Sequence, residues 1–253
     1  MRREAIYPHK SVRRLAFRGS ALLEGLAVAI LSDLVLVWQL PKILEGHSRT
    51  VTALLELAAV PWETGRSVSL LPGVSTHLLR TPYLDYQEHP LYPWYFLGGT
   101  AAVFLIAYGR MPAPLKPILF LLPLSLAITL LYLKTVWPAV PYTAEDFCAI
   151  WYHGEVYLWL LLPWVVVLGL FLLHRSLLWK LSWLAVTVCY SLLWSAVRLA
   201  LALATFYHLG PLWMPFFYFA FGFLADFLYI VAFYSLATDQ AARVLADRRK
   251  AWQ

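Results

Sequence analysis

"LSWLAVTVCYSLLWSAVRLALALATF", residues 181–206, holds a single charged side chain, Arg198, and is longer than the roughly 20 apolar residues a helix needs to cross a bilayer. It therefore predicts a membrane-spanning helix. Five further apolar runs, at 21–40, 93–109, 117–137, 155–173 and 211–236, predict the same. The whole chain agrees: 61% of its residues are hydrophobic, 13% are charged and the mean hydropathy is +0.67. An ordinary soluble domain is about 45–50% apolar and about 25% charged. The expected fold is an all-α integral membrane protein of about six transmembrane helices, forming one membrane domain over residues 1–253.

The net charge of +6 falls in short clusters beside the apolar runs, which points to membrane topology and away from nucleic acid. Most Lys and Arg residues lie in the segments that are inside if the N-terminus is cytoplasmic. These are the basic segment 1–20, then Arg110 and Lys116, then Arg175 and Lys180, then Arg243 to Lys250. Both termini are expected inside. The opening basic stretch is not a signal peptide on this reading, because the run 21–40 is long enough to span and has no small-residue cleavage site. Residues 41–92 become an outer loop. Within it "RTVTALLELAAV" has the spacing of a short interfacial helix, and "YLDYQEHPLYPWY" is rich in residues that settle at headgroup depth.

This orientation gathers polar residues at the outer face. Cys148, His153 and Glu155 precede or open the fourth span, Arg198 lies in the outer third of the fifth, and His208 sits just beyond it. An arginine inside a span costs ~2.5–3.5 kcal/mol at the bilayer centre, so it is normally turned inward and paired. Glu155, Asp33 and Asp226 are the carboxylates available to it. Read as packing, Arg198 snorkels or forms a structural pair, Cys148 fills space among aromatics and His208 caps a helix. Cys189 lies mid-helix in apolar surroundings, and the two cysteines match no metal or redox spacing.

From 145 to 236 the order is an acidic pair, Cys148 in "EDFCAIW", an apolar helix, the basic turn "HRSLLWK", a second apolar helix, "SAVR" ending on Arg198, and a last apolar helix. This region resembles the C-terminal core of the exosortase/archaeosortase family, membrane-embedded cysteine transpeptidases of bacteria and archaea. Ser195 stands where the family has Asn, and Cys148 and Arg198 are 50 residues apart. Ala149, Ile150 and Trp151 replace the family's Ser-Gly and arginine, and "PLWMPFFYFAFGFLADFL" carries no counterpart of its histidine.

The resemblance implies a protein of the prokaryotic cytoplasmic membrane that processes exported proteins bearing a C-terminal transmembrane sorting helix. Cys148 would attack, Arg198 would stabilise developing negative charge, and His208 or His153 would move protons, with Glu155 and Asp226 in support. No cofactor or metal is implied, and accessory membrane subunits are conceivable partners. The alternative within the resemblance is a non-catalytic relative serving as a membrane subunit or accessory protein. A haem or quinone site built from His77, His89, His153 and His208 ranks low, because these residues fall in loops or at helix ends. A transporter coupled through Asp33 and Asp226 lacks paired broken helices.

Overall fold

The computed structural model describes residues 19–83, 91–109, 116–135, 143–171, 173 and 176–250. The basic segment up to residue 18, His89, Arg110, and His174 and Arg175 of the basic turn lie outside the described residues. Helix α1 spans Gly19–Leu57 and continues through Pro41, where the sequence had suggested a stop near Leu40. It continues because Leu40, Leu44, His47, Val51 and Leu55 keep one buried stripe at helical spacing across the proline. The interfacial helix expected from Arg49 is thus the last part of α1.

Helix α1 ends in a Schellman cap. Val60 N–H donates to Leu55 O at 2.9 Å, Ala59 N–H donates to Glu56 O at 3.0 Å, and Ala59 sits at φ +55°. A β-hairpin follows, where the all-α expectation places only an outer loop. Strands β1 (Glu63–Leu71) and β2 (Val74–Arg80) pair antiparallel, with Leu71 opposite Val74 across Pro72-Gly73. Gly73 has φ +79°, the position that a Pro-Gly turn reserves for glycine. Val74, Thr76 and Leu78 alternate inward along β2.

Helices α2 (Tyr92–Tyr108) and α3 (Lys116–Thr135) come next and meet through Phe104 and Phe120, whose rings are 5.8 Å apart. Helix α4 runs Ala144–Leu170, starting well before the expected 155. Its early start has a local cause: the Thr143 hydroxyl accepts the Asp146 N–H at 3.1 Å and Asp146 Oδ2 accepts the Thr143 N–H at 3.1 Å, a capping box in "TAED". Helix α5 spans Leu177–Leu209 and stops at Gly210, φ +79°, before Pro211. Short turns over Pro211–Trp213 and Met214–Phe216 lead into a π-helical stretch, Phe217–Leu224, and then α6, Ala225–Lys250.

Four helical runs among the described residues are long and apolar enough to cross a membrane: Leu22–Leu57, Ala144–Leu170, Leu177–Leu209 and Pro211–Arg243. Helices α2 and α3 carry shorter apolar stretches, Leu97–Ile106 and Pro123–Tyr132. The membrane helices present leucine, valine and aromatic side chains outward, as at Leu34, Trp38, Leu168, Leu193 and Phe223. Water does not tolerate such faces in quantity and lipid does. The protein is a largely helical membrane protein.

The chain gathers into two compact units. One comprises α1 up to Gln39, Tyr157–Ser191 and the chain from Leu228; the other comprises Leu40–Val156 and Leu192–Phe227. In the first, Val166, Leu170, Leu184 and Ala237 form a core, and Ala29 packs with Val167 and Phe171. Gly25 allows that second contact: a Cβ there would meet Val167 Cγ1 at 2.7 Å. Asp33, one of the deep carboxylates, accepts the Trp164 indole N–H at 2.6 Å within this unit. In the second unit Leu126, Leu130 and Leu212 join α3 to the turn after α5.

Candidate functional site: a buried arginine cluster

The polar centre of the second unit is built from helical faces. On α5, Ser195 and Arg198 are three residues apart and share a face; on α4, Cys148, Trp151, Tyr152 and Glu155 do the same. All six are buried, and Arg198 has no exposed surface at all. Its guanidinium has five N–H groups, four of which find acceptors. Nη2 donates to Glu155 Oε1 at 2.8 Å and to Asp226 Oδ1 at 2.5 Å. Nη1 donates to the backbone carbonyls of Phe221 and Gly222, the latter at 2.9 Å.

Those two carbonyls belong to the π-helical stretch, whose widened turn leaves oxygens free to face a neighbouring donor. The Trp151 indole packs beside Gly222, where a Cβ would stand in ordinary van der Waals contact with it at 3.6 Å. The Trp151 ring carries the Arg198 guanidinium over its face at 5.3 Å, a cation–π contact. Its Nε1–H donates to Ser195 Oγ at 3.3 Å, and His47 Nε2 lies 3.2 Å from the same oxygen. The His47 and Tyr152 rings meet in a T-shaped contact, with centroids 5.3 Å apart.

Of the residues the sequence singled out, the fold brings Arg198, Glu155 and Asp226 into direct contact. Cys148 is elsewhere on α4, two turns before Glu155, a rise of about 10 Å. It is fully buried, with its sulfur against the backbone of Leu79 on β2. The hairpin is held over this end of α4 by Arg66, whose backbone N–H donates to Glu145 Oε1 at 2.6 Å and whose Nη2 donates to Asp146 Oδ1 at 2.7 Å. His208 is exposed in the last turn of α5, ten residues or about 15 Å of rise beyond Arg198, with its ring against Tyr207. His153 is half-buried and its Nδ1 bonds the Ala149 carbonyl at 2.7 Å. Neither histidine is bonded to the cluster.

The histidine that does reach the cluster is His47, which lies inside the expected outer loop 41–92 and stands instead on α1. Its signal was present in "LPKILEGHSRTVTALLEL", where it occupies the stripe shared by Leu40, Leu44, Val51 and Leu55. Among the described residues no three His, Cys, Asp or Glu side chains are grouped to hold a metal ion. The cluster can fix helices α4, α5 and the π-helical stretch against one another through charge and hydrogen bonds, and it can hold a proton. Comparison with protein-family models, with curated proteins and with solved structures finds no match for this chain.

Proposed function

We propose that this chain is a multi-pass protein of the prokaryotic cytoplasmic membrane, with both termini inside and six spans, whose exosortase-like core acts without cysteine chemistry. In this reading it is a subunit or accessory protein of a system that handles exported proteins with a C-terminal transmembrane helix. One observation carries it. Opposite Arg198 on α4 stands Glu155, not Cys148, and the guanidinium is already committed to two carboxylates and two carbonyls. A cation so engaged supplies a structural clamp and has one N–H left for a developing oxyanion.

The test is Cys148→Ala in the native host, following exported proteins that carry a C-terminal apolar helix, beside a strain lacking the whole chain. The accessory role predicts unaltered processing in Cys148→Ala and impaired handling when the chain is removed. Loss of processing in Cys148→Ala alone sinks it and restores the second reading, a cysteine transpeptidase using Cys148, Arg198 and His208. That reading draws on one feature: Cys148 and the Arg198-bound Glu155 share a face of α4, whose first turn is bonded to Arg66 of the hairpin.

A further inference from the structure

Four titratable groups meet inside the second unit: His47 from α1, Glu155 from α4, Arg198 from α5 and Asp226 from the start of α6. Tyr152 and Cys148 lie on the same face of α4 as Glu155. One guanidinium faces two carboxylates, and both carboxylates bond the same nitrogen, so their oxygens lie within the sum of 2.8 and 2.5 Å of each other. An uncompensated negative charge in such an enclosure is costly. The cluster is neutral in two arrangements. Either one carboxyl carries a proton and the imidazole is neutral, or both carboxylates are ionised and the imidazole is protonated.

The hydrogen bonds single out Glu155, and a hydroxyl beside it leads to His47. Glu155 binds Arg198 through Oε1, while its buried Oε2 has no hydrogen-bond partner among the described residues. A proton on Oε2 turns that atom into a donor. The nearby hydroxyl is Ser195, which neighbours Glu155 and stands 3.2 Å from His47 Nε2. A serine hydroxyl donates once and accepts twice. Accepting from Trp151 Nε1–H and from Glu155, and donating to His47, uses all three capacities.

We propose that the cluster holds one mobile proton, passed between Glu155 and His47 through the Ser195 hydroxyl. In the forward step the Oε2–H bond of Glu155 breaks as its proton joins Ser195 Oγ, and the former Ser195 O–H proton joins His47 Nε2. The products are a carboxylate and an imidazolium, the serine is regenerated, and total charge is unchanged with no other reactant. Arg198 and Asp226 keep their bond throughout. This site does not depend on whether Cys148 reacts.

Infrared spectroscopy of the full chain in lipid nanodiscs tests it. The protein should show the carbonyl band of a buried protonated carboxyl, and Glu155→Gln should remove it. Carbon-13 labelling of glutamate should shift the same band in the unmodified protein, which covers the case of a Glu155→Gln chain that fails to fold. After transfer to heavy water the band should exchange severalfold more slowly in Ser195→Ala and in His47→Phe. A carboxyl band insensitive to glutamate labelling overturns the assignment to Glu155. Exchange equally fast in both relay variants overturns the path.

Discussion

Arg198 on α5 and Glu155 on α4 meet at 2.8 Å with both side chains enclosed by protein. A buried pair of this kind is poor evidence of net stabilisation, because desolvating both ions offsets their attraction. It is strong evidence of interdependence. Each partner has been taken out of water on the condition that the other is there, and Asp226 shares the same nitrogen.

Removing the cation alone should therefore be severe. Arg198→Met leaves the buried carboxyl groups of Glu155 and Asp226 and two backbone carbonyls without their donor, and should lower stability by about 3–5 kcal/mol. Arg198→Lys should recover little, since a lysine lacks the planar fork that serves both pairs of acceptors. Replacing Glu155 and Asp226 with Gln and Asn in the Arg198→Met chain should recover much of the loss. Thermal unfolding in detergent micelles reads all four proteins. A single Arg198→Met variant as stable as the parent removes the clamp from the fold.

The end of α1 offers a change in the opposite direction. Ala59 occupies the left-handed position of a Schellman cap at φ +55°, where a Cβ crowds the following carbonyl. Ala59→Gly relieves that contact and retains both cap bonds to Leu55 and Glu56. It should raise stability by about 1 kcal/mol, less the added freedom of glycine in the unfolded chain. Slower proteolysis between α1 and β1 would accompany the gain, and a lower melting temperature would contradict it.

The membrane class was legible because it rests on composition and on apolar runs, which no local detail can hide. Element ends were legible only where their chemistry was read. The capping box in "TAED" marks the start of α4 at Ala144, in the connection before the fourth apolar run, and "LPGV" marks the hairpin inside 41–92, where the spacing predicts only a helix and a loop. The first apolar run ends at Leu40, whereas the helix continues because the buried stripe runs on past Pro41 through His47. For the site, the cost of a charge in a span correctly demanded a partner for Arg198, and both Glu155 and Asp226 were on the short list. Arg198 bonds both, and the carbonyls that Phe221 and Gly222 add come from a π-helical stretch that has no simple sequence signature.

Close helix approach in the first unit gives a test that is independent of the cluster. A Cβ on Gly25 would come within 2.7 Å of Val167 Cγ1 and 3.3 Å of Phe171 Cβ. Gly25→Ala should cost about 1–3 kcal/mol, as overpacking does. Adding Val167→Ala removes the methyl in the way and should return part of that loss. The pair forms a double-mutant cycle in which additive penalties would show that α1 and α4 do not touch there.

The cover over Cys148 leads to a chemical prediction. Cys148 is buried under β2, while Cys189 is exposed on α5. A small membrane-permeant thiol reagent should therefore label the native chain at Cys189, and a Cys189→Ala chain should stay unlabelled until unfolded. Gly65 sets how tightly the hairpin seats, because a Cβ there would stand 2.7 Å from Glu145 Oε1. The carboxylate can swing away from Gly65→Ala, but it then gives up its bond to the Arg66 N–H, one of those fastening the hairpin to α4. In the Cys189→Ala background, Gly65→Ala and Arg66→Ala should each raise the labelling rate of Cys148. They should do so without unfolding the helical bundle, since neither residue touches the Arg198 cluster. Labelling of Cys148 as fast in the unaltered chain as in either variant would mean that the hairpin does not guard the thiol.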